Sequence, residues 1–361
     1  MANWLSVALK SVFAVVGMSL LIEVVLQEVF RIQLVPWHLK TIGAVCCKGF
    51  MAVNIVSVKH TTRFQIWLVG ILLALLAFFV IFGAPETRAA RYGELLEKGW
   101  LAVFATAGLV FVSFGGFTKV ASITEEVKNP GKNIPLGMLL AWGVVALCYV
   151  AVIAVMVGLV DGSELAESLM PISLAADKFL GPAGFAILGL AAVAAFVTTA
   201  NGGILAASRY PMAMSRDQLL PLVLGRVSDR FATPHVSVLL TGAFMICAIV
   251  FLDVEVLVKT ASTLMLILFI LVNISVIIMR ESRIQSYRPK FKSPSYPYIH
   301  IVAILAYSTL IIDMGRVPLS ITAGFIGLSA AWFRLYVRTR VRRASAVMHI
   351  VERVTDRASE Q

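Results

Sequence analysis

Charge is scarce in this chain. Only 14% of its 361 residues are charged and 59% are hydrophobic, and the mean hydropathy is +0.90. Soluble domains carry roughly a quarter charged residues, so the deficit excludes an ordinary water-soluble fold and implies an integral membrane protein. Patterns of catalysis and metal binding are lacking too. The five histidines have no metal-ligand spacing. The sequence holds no Gly-rich phosphate loop, no nucleophile elbow and no His-Glu-x-x-His motif. With no convergent nucleophile, base or metal set, neither an enzyme nor a tightly held cofactor is expected. Cysteines are few: Cys46, Cys47, Cys148 and Cys247 all fall in apolar stretches, where they read as small core residues rather than disulfides. The net charge of +11 does not imply a nucleic-acid partner, because in a membrane protein the position of the charge carries the information.

What the chain has in quantity is apolar length. About ten segments are long enough to cross a bilayer, at approximately 10–30, 40–58, 64–83, 100–124, 136–160, 182–208, 235–252, 256–280, 297–314 and 317–337. An all-α polytopic membrane fold follows, with a transmembrane domain over 1–340 and a tail over 341–361. The first segment is too long for a signal peptide and no small-residue cleavage site follows it. Basic loops (Arg209, Arg216, Arg226 and Arg230; then Arg280, Arg283, Arg288, Lys290 and Lys292) alternate with acidic ones (Asp161, Glu164 and Glu167; then Asp253 and Glu255). Lys/Arg-rich loops stay cytoplasmic, so both termini are expected inside a cell membrane. The near-neutral loop 84–99 is expected outside, as a short exposed helix supported by Arg91 and Glu94 at i, i+3. The loop 209–234 is expected to form short helical turns at the inner surface. In the tail, Val347, Ile350, Val351 and Val354 recur at helical spacing, which suits an amphipathic helix lying on the inner leaflet beside its arginines.

One span is interrupted. Between Phe104 and Pro135 the sequence reads FATAGLVFVSFGGFTKVASITEEVKNPGKNIP, with Ser113-Phe114-Gly115-Gly116-Phe117 in the middle of an apolar run. A backbone group left unpaired in hydrocarbon costs several kcal/mol, so a membrane helix is broken only where its freed groups meet a cavity or a ligand. Broken helices near mid-depth are a sign of a solute site in secondary transporters. The same residues also fit an unbroken helix with a Gly-Gly packing notch.

The motif F-x-S-F-G-G-F followed by T-E-E-V-K-N-P-G-K-N-I-P (111–135) resembles the sixth helix and following loop of amino acid permeases in the amino acid–polyamine–organocation superfamily. Independently, N-G-G-I-L-A-A-S-R-Y-P-M-A-M-S-R-D-Q-L-L-P (201–221) is similar to the end of that family's eighth helix and the loop after it. The resemblance runs more weakly from about residue 10 to 337. It implies a LeuT-like inverted-repeat core with two extra helices, and alternating-access transport of amino acids coupled to an ion gradient or to exchange. On this alignment the first span corresponds to the family's third helix. The family's Gly-rich first-helix break, which supplies N–H groups to the substrate carboxylate, has no counterpart. A different reading is therefore a non-transporting remnant, or a partner subunit completed in trans by the missing helices.

An α-amino acid presents an ammonium, suited to freed carbonyls, and a carboxylate, suited to half-helix N-termini. The carbonyls of Phe111, Val112 and Phe114 are candidates for the first. The N–H groups of Gly115, Gly116 and Phe117 open the second half-helix, and the glycines permit close approach. Ser113 offers a hydroxyl. Phe111, Phe114 and Phe117 either wall a side-chain pocket or pack against lipid and core. No acidic residue lies at the break, which favours a neutral substrate.

Ala195, Thr198 and Thr199 share one helix face and offer oxygens of the kind a hard cation such as Na⁺ prefers. Equally, the threonines fit back-bonding to their own helix. The pattern resembles half of a sodium site in related transporters. Where proton-coupled relatives carry a lysine, this chain has Leu72, and Lys119 is the nearest other cation. Glu23 and Lys48, each costing about 2.5–3.5 kcal/mol if unpaired at a helix centre, are expected to form an ion pair between the first two spans. Glu125, Glu126, Lys128 and Asn129-Pro130 form the inner loop after the break. Asn129-Pro130 is read there as a helix end, and the loop's charges fit either a latch to Arg209 or Arg216 or a solvated turn.

Overall fold

The computed structural model describes residues 1–30, 35–56, 61–94, 99–116, 120, 127–231, 233–282, 289 and 291–338. All regular structure among them is helical. In chain order the α-helices are α1 (Ala2–Phe30), α2 (Pro36–Val56), α3 (Thr61–Gly83), α4 (Gly99–Val110), α5 (Pro130–Leu159), α6 (Gly162–Glu167), α7 (Pro171–Leu180), α8 (Pro182–Arg216), α9 (His235–Phe251), α10 (Val254–Glu281), α11 (Tyr298–Ile312) and α12 (Arg316–Trp332). Seven are long and apolar enough to cross a membrane, and α4, α9 and α11 are shorter apolar helices. Together they account for the ten apolar segments of the sequence.

The helices are not equivalent. In α1, 67% of the spanning window is buried, against 11–28% in the six other long spans. It is a central post, and α8 is the helix laid along it. On α8, Ala200, Gly203, Ile204 and Ala207 are all buried, and on α1 Ala8, Val12 and Val15 have no exposed surface. Small residues let two membrane helices approach closely enough for dispersion to hold them without a hydrophobic effect between them. At Gly203 a side chain would overlap the Ser11 side chain. Polar ties reinforce the packing: Asn3 Nδ2 donates to Tyr210 OH (2.8 Å), and Trp4 Nε1 donates to Thr241 Oγ1 (3.1 Å) on α9. The main core joins α1, α2, α8, α9 and α10, and a smaller one joins α3, α5, α7 and α8 around Phe79, Val155, Ala176 and Leu188.

Four boundaries differ from the sequence reading. Asn129-Pro130 opens α5 rather than ending the preceding helix: Asn129 is left-handed (φ 49°), Pro130 stands at the first helical position, and Asn133 Nδ2 donates to the Lys128 carbonyl at 2.6 Å. Proline is favoured there because its missing N–H would be unpaired anyway. Second, α8 runs on through Pro211 to Arg216, so Arg209 and Arg216 are helical rather than in a loop. Third, α6 and α7 occupy ground read as loop. Pro171 at the start of α7 and Gly181 (φ 63°) at its end were the available signals. Fourth, the stretch after α3 forms two 3₁₀ turns, Ala84–Glu86 and Ala89–Glu94. They clip onto the end of α5, where Arg91 pairs with Asp161 (2.9 Å) and donates to the Gly158 carbonyl (3.3 Å). A guanidinium at a helix C-terminus also complements its dipole.

At the opposite end, the N-terminal ammonium lies 3.7 Å from Met214 Sδ, and Ser329 Oγ lies 3.3 Å from Met1 Sδ. The N-terminus, the basic end of α8 and α12 therefore gather on one side. The tail 341–361 lies outside the described residues.

Candidate functional site

The α-helical bonding of α4 stops at Val110. A 3₁₀ turn takes over from Phe111 to Phe114, and Gly115 and Gly116 form a turn. The discontinuity thus falls on the Ser-Phe-Gly-Gly stretch marked in the sequence. In an unbroken helix the Leu109 carbonyl would take the N–H of Ser113, and the Ser113 carbonyl that of Phe117. At the break both carbonyls accept side-chain donors from other helices. Ser262 Oγ of α10, itself fully buried, donates to Leu109 O at 3.2 Å. Lys10 Nζ of α1 donates to Ser113 O at 3.3 Å. Bonding of this kind is what allows irregular backbone inside a membrane bundle.

The aromatic residues divide by role. Phe111 sets its ring edge-on to Phe269 of α10 (5.5 Å, 89°) and against Tyr307 of α11 (5.6 Å, 62°). This three-ring cluster, an arrangement favoured by ring quadrupoles, fixes the break against α10 and α11, and Phe111 serves there as a packing anchor. Phe114 meets Tyr149 of α5 at 5.4 Å. Gly115 is buried, whereas Ser113 and Gly116 are exposed. A Cβ on Gly116 would meet no atom within 4 Å, so the backbone there has open space beside it. The side chain of Val112, all of Phe117 and Lys119, and the latch residues Glu125 and Glu126 lie outside the described residues.

Sequence reading missed both donors at the break. Ser262 gave no signal, since hydroxyls in membrane helices mostly bond back to their own backbone. Lys10 did give one, a cation at the edge of an apolar run. The hydropathy pattern starts the first span at residue 10, whereas α1 begins at Ala2 and carries Lys10 about 12 Å into the helix.

The second candidate set is arranged differently. Thr198 Oγ1 donates to the Ala195 carbonyl of its own helix at 2.9 Å, and Thr199 is half-buried. Ala195 and Thr198 border a small space of about 30 Å³ whose opposite wall is Leu68, Leu72 and Leu75 of α3. Leu72 does face this set, but it brings hydrocarbon rather than an ammonium or an oxygen. Above it, a larger hollow of about 310 Å³ lies among Leu21, Leu76, Met170, Ile172, Leu188 and Phe196.

The ion pair expected between Glu23 and Lys48 is not formed. Lys48 is on the exposed face of α2 with Val45, Ala52 and Val56, because Cys47 and Asn54 are the residues turned into the core. Asn54 donates to Asn201 Oδ1 of α8 at 2.6 Å. Ion pairs among the described residues include Lys40–Asp253, Arg91–Asp161, Lys178–Glu164 and Lys259–Glu255.

An all-helical bundle of apolar spans packed on α1, with one of its apolar helices interrupted, defines a polytopic membrane protein of transporter type. A family model described as amino acid permease matches residues 1–333, and the chain belongs to that family, whose members are permeases rather than enzymes. Among curated proteins it is 30% identical over 248 residues to the methylthioribose transporter of Bacillus subtilis, covering 68% of this chain and 53% of that protein. It is 28% identical over 263 residues to a branched-chain amino acid permease of the same organism, covering 73% and 56%. A vacuolar cationic amino acid transporter of Arabidopsis thaliana is 29% identical over 230 residues, covering 62% and 38%. The chain thus spans about half the length of the two bacterial relatives.

Proposed function

We propose that this chain moves amino acids across the cytoplasmic membrane by alternating access, with the substrate held at the discontinuity 111–117. The observation that carries the reading is the break itself. Its carbonyls are engaged by side chains of α1 and α10, and open space lies beside Gly116. Backbone freed in a membrane is stable only against protein or a cavity, and such a place has the dipoles a zwitterion needs. Family membership supports the amino acid class, and the relatives' printed substrates range from branched-chain to cationic amino acids and methylthioribose. A cation at the break and no acidic residue in Phe111–Gly116 favour a neutral amino acid for this chain. Transport draws on a Na⁺ or H⁺ gradient or on exchange. Both termini face the cytoplasm, on the strength of the basic residues gathered at that end.

The test is uptake of radiolabelled amino acids into proteoliposomes containing this chain alone. Saturable flux of neutral amino acids is the expected result. Because the chain spans about half of its bacterial relatives, a second reading is that it binds substrate but moves it only with further helices supplied in trans. Binding without flux assigns that reading, and neither binding nor flux overturns both.

A further inference from the structure

We propose that the turn between α8 and α9 is a docking surface for anionic phospholipid. Leu222, Val223 and Val227 enter the bilayer interface, and Arg216, Arg226 and Arg230 meet the headgroup phosphates. This holds whether or not the chain moves a solute.

The depth of the turn follows from its neighbours. α9 has 17 residues, about 25 Å at 1.5 Å per residue, shorter than a hydrocarbon core of about 30 Å. Its first turn therefore lies at the edge of the hydrocarbon. In that first turn Ser237 Oγ donates to the Leu224 carbonyl at 2.7 Å, which holds the 3₁₀ turn Leu222–Gly225 at the same level. Ser215 Oγ of α8 donates to the Pro221 carbonyl (2.7 Å), and Trp332 Nε1 of α12 donates to the Leu219 carbonyl (3.0 Å). Three carbonyls of the segment are thus bonded inward, and apolar side chains are left outside. Leu222 is 71% exposed, Val223 48% and Val227 40%. An apolar patch of this kind at the end of a membrane span meets lipid rather than water. One turn further along α9, Leu239 and Leu240 are also exposed, so the apolar surface continues toward the hydrocarbon.

Arginines are interleaved with these residues. Arg216, Arg226 and Arg230 are exposed. Arg216 Cγ lies 3.9 Å from where a Cβ on Gly225 would stand, which puts it beside the turn. The Arg230 guanidinium lies over the Phe231 ring at 5.1 Å. Arg334 and Arg338, just beyond Trp332, are exposed as well and keep this end basic against Asp217 and Asp229. A guanidinium offers paired N–H donors that match two phosphate oxygens at once, and its stem can cover apolar surface while its head stays in the polar layer. Phosphatidylcholine sets a quaternary ammonium beside its phosphate, so the surface prefers headgroups of net negative charge.

The test is thermal melting of the full chain in neutral detergent with added dioleoylphosphatidylglycerol or dioleoylphosphatidylcholine. The first lipid is expected to raise the melting temperature at a half-saturating concentration at least about tenfold below that of the second. Arg226→Gln combined with Arg230→Gln should reduce this preference to about threefold or less. Arg88→Gln combined with Arg316→Gln, the same loss of charge at the opposite end, should leave it unchanged. Leu222→Ser should weaken the response to both lipids alike, by about threefold or more. Glycerol phosphate, a headgroup phosphate without acyl chains, should give no shift at the same concentrations. All five positions are exposed, so without lipid every variant should melt within a degree or two of the parent. An equal effect of the two arginine pairs would reduce the preference to net charge and overturn the site. A full preference in Arg226→Gln/Arg230→Gln, an unchanged response in Leu222→Ser, a shift by glycerol phosphate equal to that of the lipid, or a parent that prefers neither lipid would overturn it too.

Discussion

Two helices of this bundle carry polar groups into hydrocarbon and handle them in opposite ways. In α8 the backbone is continuous over 35 residues, and its hydroxyl at Thr198 turns back onto the carbonyl of Ala195 in the same helix. In α4 the backbone gives out after Val110, and the carbonyls of Leu109 and Ser113 take donors from α10 and α1. Glycines diverge in the same manner. Gly203 of α8 is pressed against Ser11, whereas Gly116 faces open space. A hydroxyl that bonds back to its own intact helix tells little about function. At the break, side chains of other helices, Ser262 of α10 and Lys10 of α1, donate to the backbone carbonyls.

The widest separation between the two regions should come from one substitution made in both. Gly203→Leu forces a side chain into the α1–α8 seam, and overpacking of a fitted core costs about 1–3 kcal/mol or more. Thermal unfolding in detergent should show a large fall in melting temperature or loss of folded protein. Gly116→Leu should melt within a degree or two of the parent, because nothing stands within reach of its Cβ. Equal damage at both positions would erase the contrast. Next in size, Gly116→Val should weaken amino acid binding by about tenfold or more, some 1.4 kcal/mol, with no matching loss of stability. Normal affinity in that variant counts against close approach of the ligand at the glycine.

Ser262→Ala should have a smaller effect. It removes the donor to the Leu109 carbonyl and should destabilise by about 1 kcal/mol, the usual cost of an intramembrane or buried hydrogen bond. Chemical denaturation with and without the substitution reads this directly. The smallest effect is expected at Thr198→Val. Its hydroxyl donates to the Ala195 carbonyl of its own helix and leucines line the small space beside it; loss of such a back-bond should change stability by about 0.5 kcal/mol. Any sodium dependence of uptake should also be unaltered. Loss of sodium dependence in this variant would instead make Ala195, Thr198 and Thr199 a cation half-site and overturn the contrast drawn here.

Much of this architecture was legible in the chain. Hydropathy marks the ten apolar segments, since an apolar run of spanning length has few other uses. The break is visible because Ser113 to Gly116 interrupt such a run with residues that weaken a helix. What stayed hidden depends on rotation and neighbours. Glu23 and Lys48 were expected to pair from their depth alone, but the burial of Cys47 turns Lys48 outward. Depth follows from sequence spacing, whereas azimuth follows from packing. Ser262 could not be told from the buried Thr260 and Thr263, which bond back to Val256 and Lys259, until α10 was set beside α4. Lys10 stands at the margin of the hydropathic span, which starts eight residues after α1 does, and its contact with Ser113 depends on how α1 packs against the break.

The claim on which the rest depends is that substrate binds at the exposed break. Ser113→Cys puts a thiol there, and its alkylation rate, followed by peptide mass spectrometry so that the four native cysteines are resolved separately, measures access directly. Saturating neutral amino acid should slow labelling of the introduced thiol several-fold while leaving Cys247, exposed on α9, unaffected. An unchanged rate at 113, under conditions where the same preparation binds that amino acid, would place the ligand elsewhere and contradict the account.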